Sequence, residues 1–271
     1  MNSDVQNAAE YEKWIFAAEA GPGSDVRLRL FCFSHAGGGA SMFKGWSKEL
    51  PDGVEICPVQ LPGRESRWSE PANRSFVFLI STLSVALRPL LDVPFALFGH
   101  SMGALIGFEL ARELRREGVS GPRHLFVSGA RAPQIDPPEP PIHDLPNPDF
   151  VQRLLRFEGI PEEILRNREL IEVLLPVIRA DLALCESYVY DLEEPLDCGI
   201  SAYGGQRDQM VLPGHIAAWR AQTRSLFASR IFSGGHFFLQ TARPHLLREV
   251  AAELTRILSR ISTGCAAKGE P

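Results

Sequence analysis

The chain has 271 residues, 45% of them hydrophobic and 23% charged, with a formal net charge of −5. That length suits one large domain, or one domain with an insertion, and the acidic balance argues against non-specific nucleic-acid binding. The longest apolar stretch, Phe76 to Leu87, contains three hydroxyl residues and is too short to span a bilayer, so neither a membrane nor nucleic acid is expected as a partner.

Residues 1–25 are polar with scattered apolar positions and read as loosely ordered up to Trp14-Ile15-Phe16. The opening Met1-Asn2-Ser3-Asp4 has no basic and no apolar signal region, so no signal peptide is expected. Arg27–Ser34 and Val54–Gln60 read as strands. Phe76, Leu79, Ile80, Leu83, Leu87 and Leu90 recur at helical spacing and predict a core-facing helix over 76–91. Phe95–Gly99 is a third strand, Ser101–Glu117 a helix ended by Gly118, and Arg123–Ser128 a fourth strand. Ile200–Tyr203 and Arg230–Phe232 are short strands, and a last helix is expected from Pro244 to Ser259. Strands alternating with helices argue a mostly parallel sheet covered on both faces.

One interval breaks that rhythm. Seven prolines lie between Pro133 and Pro148, and helical stretches are expected at Asp149–Phe157, Pro161–Leu175 and Val177–Tyr190. The expected division is an α/β core of residues 1–132 and 196–262, a helical insertion of residues 133–195, and a flexible tail of residues 263–271. An insertion over the carboxyl edge of the sheet would sit where such sheets bind ligands, either as a mobile lid or as a fixed helical subdomain.

Gly99-His100-Ser101-Met102-Gly103 joins the third strand to its helix. Glycines on either side of Ser101 suit a turn too tight for side chains at those positions. A serine there is either a helix N-cap or a nucleophile beside a helix N-terminus. A reactive serine needs a base and an orienting acid. His236 suits the base, because it follows the strand ending at Phe232 and the flexible Ser233-Gly234-Gly235. His215 and His245 fall at helix starts, His124 at the amino end of a strand and His143 among the prolines. Asp208 suits the acid, since it lies where the chain leaves the strand at Ile200–Tyr203. Asp181 is the rival, but it falls on an expected helix of the insertion, a poor place for an orienting acid if that element moves. The order Ser101, Asp208, His236 is that of α/β-hydrolases. Two oxyanion donors are expected, the backbone amides of Met102 and of Ala36, the latter in the loop Ser34-His35-Ala36-Gly37-Gly38-Gly39-Ala40. That loop is not a phosphate loop, because no Gly-Lys-Ser/Thr follows it. His35 and His100 are expected to be structural.

The five cysteines are odd in number, widely spaced and without a C-x-x-C pair. Free thiols in a reducing cytosol, with no disulfide and no zinc cluster, are expected, as are a monomer and chemistry without a cofactor. Arg64/Arg67, Arg112/Arg115/Arg116 and Arg153/Arg156 form basic clusters that could dock an acidic partner or merely coat solvated faces.

Several segments taken together resemble the type II, stand-alone thioesterases that serve modular polyketide and nonribosomal peptide synthases. They are Phe33-Ser34-His35-Ala36-Gly37-Gly38, Gln60-Leu61-Pro62-Gly63-Arg64-Glu65, Phe98-Gly99-His100-Ser101-Met102-Gly103-Ala104, Val127-Ser128-Gly129 with Arg131-Ala132-Pro133, Pro176-Val177-Ile178-Arg179-Ala180-Asp181, and Ser233-Gly234-Gly235-His236-Phe237. The likeness spans about residues 14–260. It departs at Ser34, where proline is common, and at Gln206-Arg207-Asp208, and neither departure touches the three candidate residues. The resemblance implies an α/β-hydrolase fold with a helical lid, and hydrolysis of short or aberrant acyl groups from the phosphopantetheine arm of carrier proteins, which would be the partners. A medium-chain acyl-carrier-protein thioesterase of fatty-acid synthesis and a free-ester serine hydrolase are the alternatives.

Overall fold

The computed structural model of the protein describes residues 13–20, 25–156 and 168–266. Seven strands form one sheet: β1 (Glu19–Ala20), β2 (Leu28–Phe33), β3 (Val54–Pro58), β4 (Phe95–His100), β5 (His124–Ser128), β6 (Gly199–Gly205) and β7 (Phe227–Phe232). Their order across the sheet is β1-β3-β2-β4-β5-β6-β7. All neighbours run parallel except β1, which pairs antiparallel with β3. β1 and the nearby bridge between Ile15 and Val59 lie at and just past Trp14-Ile15-Phe16, where the sequence predicts the looseness to end but predicts no strand. A two-residue strand carries too few side chains to leave a period in the sequence.

The apolar strands are explained by burial on both faces. In β2, Phe31 and Phe33 enter one core, and Leu28, Leu30 and Cys32 enter the other. The first face is covered by α1 (Phe76–Leu87), α2 (Met102–Arg116) and the short α5 (Pro213–Ala217). α1 buries Phe76, Leu79, Ile80, Leu83 and Leu87, with Leu90 packed alongside, as its spacing requires. The second face is covered by α7 (Arg243–Ala266), which follows the single turn α6 (Phe238–Thr241). Leu246, Leu247, Val250, Leu254, Ile257 and Leu258 make its buried stripe. α7 continues past Ser259, the expected end: Ile261 still packs against this core, and the Ser259, Ser262 and Thr263 hydroxyls donate to carbonyls one turn back.

Between β5 and β6 no strand occurs among the described residues. This interval contains α3 (Asn147–Arg156) and α4 (Arg168–Glu186). The expected helices either side of Pro176 are one helix: Pro176 removes one amide donor from α4 without ending it. The Ser187–Tyr190 part of the expected third helix is not helical, and the expected start at Pro161 lies outside the described residues. Ile142, Phe150, Leu154, Ile171, Leu175, Val177 and Ile178 form a small core of their own here.

The chain runs from β2 outward to β3, then crosses back to start β4 on the other side of β2. The strand order therefore reverses between β2 and β4, and their carboxyl ends flank a crevice of the kind that binds ligands in parallel sheets.

Candidate active site

Ser101 stands at the end of β4 with φ of 54°, a left-handed value that costs a non-glycine residue about 1–3 kcal/mol. The turn survives because its surroundings leave no alternative. A Cβ on Gly99 would lie 2.0 Å from the Gly103 carbonyl oxygen, and one on Gly103 would lie 2.1 Å from that of Phe33. Ser101 N donates to Ser128 O on β5 at 2.8 Å. The Ser101 side chain makes no capping bond to α2, which removes the N-cap explanation for the serine and leaves its hydroxyl uncommitted.

Asp208 and His236 are brought together. Asp208 Oδ2 accepts from His236 Nδ1 at 2.8 Å, and Oδ1 accepts from the Met210 and Val211 amides at 2.9 and 3.0 Å. Their side chains are 0% and 5% exposed. A carboxylate can only accept, so Nδ1 carries the proton of this pair and Nε2 is left as the acceptor. Backbone contacts clamp the two loops: Gln206 N donates to Phe232 O and Arg207 N to Gly234 O, both at 2.8 Å. That closeness explains two glycines. A Cβ on Gly205 would meet Gly235 O at 2.2 Å, and Gly234 has φ of 126°.

His100, next to Ser101, has its ring centroid 5.2 Å from that of His236. It bonds Ser128 Oγ through Nδ1 at 3.0 Å. His35 stacks edge-on against Phe237 at 4.8 Å. Burial pushes both histidines toward the neutral form, His35 down to about 3, and the nearby His236 pushes the same way. These two neutral rings pack behind His236 without adding charge.

The register pairs Phe33 with Gly99, so the loop leaving β2 starts level with the elbow. Ala36 is half-buried in that loop and Met102 is buried at the start of α2. Among the described residues neither backbone amide is taken by an acceptor. Asp181 goes elsewhere: it binds Arg64 through both carboxylate oxygens, at 2.5 and 2.8 Å, and accepts the Gly37 amide at 2.7 Å. It does not meet a histidine.

The basic clusters are less open than either reading of the sequence implies, and the Arg156 side chain lies outside the described residues. Arg64, Arg67 and Arg112 are buried, with 4%, 4% and 2% exposure. Arg67 pairs with Glu70 and stacks on Trp14. Arg112, Arg115 and Arg116 converge on Glu193, and Arg153 meets Glu139. Some of the neutralising carboxylates are near in sequence, as Glu70 is to Arg67, but Asp181 and Glu193 lie far along the chain from the arginines they pair with. Cys32, Cys57, Cys185 and Cys198 are free thiols. Among the described residues, no group of three or more His, Cys, Asp or Glu is arranged to hold a metal ion, and no helix is long and apolar enough to cross a membrane.

A thioesterase domain model matches residues 28–254. The chain belongs to the thioesterase domain family. This thioesterase is similar to the gramicidin S biosynthesis protein GrsT of Aneurinibacillus migulanus, with 41% identity over 251 residues covering 93% of this chain and 97% of GrsT. Among solved structures it resembles the type II thioesterase BorB from the borrelidin biosynthetic cluster. The TM-score is 0.81 at 34% identity, covering 89% of this chain and 98% of BorB. The medium-chain S-acyl fatty acid synthase thioesterase of Rattus norvegicus is more distant, 30% identical over 220 residues, covering 79% of this chain and 82% of that protein. The resemblance to type II thioesterases and the α/β-hydrolase fold expected from the sequence are both borne out. The fatty-acid alternative ranks behind them.

Proposed function

We propose that this thioesterase hydrolyses short or aberrant acyl groups from the phosphopantetheine arm of carrier proteins in a polyketide or nonribosomal peptide synthase. Ser101 is the nucleophile, His236 the base, Asp208 its orienting acid, and the Met102 and Ala36 amides the oxyanion donors. The observation that carries the reading is the buried 2.8 Å bond from His236 Nδ1 to Asp208, made at the sheet edge where Ser101 is held on a strained turn. The similarity to GrsT and BorB supports the synthase setting.

His236 Nε2 takes the Ser101 proton as Oγ attacks the thioester carbonyl. The carbon–oxygen bond forms, and the two amides hold the resulting oxyanion. The carbon–sulfur bond then breaks, and the thiolate leaves with the proton from His236. Water, deprotonated by the same nitrogen, attacks the acyl-serine. Release of the acid returns the proton to Oγ. Thioester and water thus become acid and thiol, and the steps call on no metal or redox group. Every group named comes from one chain, so a monomer suffices, and the free thiols suit a reducing cytosol.

The interval of residues 133–195 is read as a lid over this edge, on the core of residues 1–132 and 196–262. The experiment is acyl release from carriers loaded with acetyl, propionyl, malonyl and longer groups, beside p-nitrophenyl esters. Preference for short carrier thioesters and loss of turnover in Ser101→Ala are expected. A Ser101→Ala enzyme with near-normal turnover would refute the nucleophile, and a preference for free esters would refute the substrate class.

A further inference from the structure

We infer that Arg64 and Asp181 are positioning residues for the oxyanion loop, tying the Ala36 amide to helix α4 through one buried ion pair. The inference rests on the assignment of Ala36 as an oxyanion donor. Asp181, on α4, grips Arg64 with both oxygens and also accepts the Gly37 amide at 2.7 Å, one residue beyond Ala36. Arg64 Nη1 also donates to Gly38 O at 3.3 Å, and Nε to Pro62 O at 3.2 Å. Their side chains are 4% and 1% exposed.

The loop is held at further points. Gln60 Oε1 accepts the Ala40 amide at 3.1 Å, and Ser34 Oγ donates to Gly38 O at 2.8 Å. Glu65 accepts the Ser41 amide at 3.2 Å. The grip from α4 is also steric: Gly37 has φ of 76°, and a Cβ on it would lie 2.5 Å from Ile178 Cγ1. A glycine-rich loop is free to wander in isolation. An oxyanion donor must instead stay fixed to a fraction of an ångström, because an error of about 1 Å costs about 100-fold in rate. A buried bidentate pair sets direction as well as distance, and it cannot be broken cheaply. α4 is thereby part of the frame that aims the donor. Two of the segments that carry the resemblance, Gln60–Glu65 and Pro176–Asp181, gain a shared task.

The test uses an acyl N-acetylcysteamine thioester, which needs no carrier docking, and a short alkylboronic acid, whose adduct on serine carries an oxyanion. Asp181→Asn is expected to lower kcat about 100-fold and to weaken boronate binding by a similar factor. KM should stay within about threefold, and the acid limb of the kcat/KM pH profile should not move, since Asp208 still holds His236. A variant that is merely less stable would lower the melting temperature and leave kcat and boronate affinity intact, which would overturn the inference. So would a shifted acid limb, which would make Asp181 an orienting acid. If Asp181→Asn fails to fold, Arg64→Met with Asp181→Leu removes both charges together. A folded double variant with the same two losses supports the inference, and one with wild-type kcat overturns it. Ser101→Ala assayed alongside separates the two levels. If it keeps turnover, the nucleophile assignment fails and the inference falls with it. If it is dead while Asp181→Asn is normal, only the positioning role fails.

Discussion

His236 Nδ1 lies 2.8 Å from Asp208 Oδ2, and both side chains are shut off from bulk water. Asp208→Asn keeps an oxygen for the Met210 and Val211 amides, so the loop should fold as before. Its amide nitrogen then faces Nδ1 and drives the proton to Nε2, where, in the proposed mechanism, it would block uptake of the serine proton. In the serine-protease template that exchange costs about 10⁴-fold in kcat. A loss of that order is expected here, with little change in melting temperature. Steady-state kinetics beside thermal unfolding checks both halves.

The elbow glycines should separate steric from conformational cost. Gly103→Ala sets a methyl 2.1 Å from a backbone oxygen of β2, and neither side can yield without parting α2 from β2. A loss of about 3 kcal/mol is expected. Gly118→Ala meets no atom within 4 Å and pays only for φ of 70°, about 1–2 kcal/mol. Urea unfolding of the two variants should rank them in that order.

Stability should fall in mild acid. Burial holds His124 down to about 4, despite the opposing pull of Glu253, whereas an unfolded histidine titrates near 6.5. Between those values the unfolded chain binds a proton that the folded one refuses. The folded state therefore loses about 1.4 kcal/mol per pH unit for each such histidine as pH drops from 6.5 toward 4. His35 behaves alike, with a folded value of about 3. His124→Gln can keep the contact with Ser201, which His124 Nε2 makes at 2.8 Å. It should flatten the pH dependence of urea unfolding by about one proton between pH 6 and 5. An unchanged slope would contradict the assignment.

Arginines on α2 should act through stability and not through carrier recognition. Arg112 meets Glu109 at 2.6 Å and Glu193 at 2.7 Å while 2% exposed. Arg112→Ala leaves Glu193 with Arg115 and Arg116 but strips Glu109 of its close ionic partner, leaving it the Tyr188 hydroxyl and Arg116 at 3.9 Å, at a cost of about 3 kcal/mol. Arg116 is 44% exposed, and its replacement by alanine should cost under about 1 kcal/mol. Chemical unfolding measures both, and the carrier KM of each folded variant should match the wild type.

Much of the architecture was legible because parallel strands buried on both faces read as unbroken apolar runs, and α1 and α2 carry clear helical stripes. The elbow was legible too, since only glycine fits at positions 99 and 103, and the places of the two aspartates in the chain favoured Asp208, the one that meets His236, over Asp181, which meets Arg64. Less was legible where the signal is short or polar. β1 offers two residues, Pro176 looks like a helix end, and α7 outruns its apolar stripe.

By itself, the sequence determined the sheet, the elbow and the residues available for chemistry, because local spacing and steric limits act between near neighbours. Tertiary structure alone decided the partners. Asp181 meets Arg64 across 117 positions, and Arg116 meets Glu193 across 77. A charge declares no partner along the chain, since pairing in a buried site depends on which segments the fold carries together. That is why the arginines of α2, which by spacing alone suit a solvated face as well as a docking surface, are tied together through Glu193.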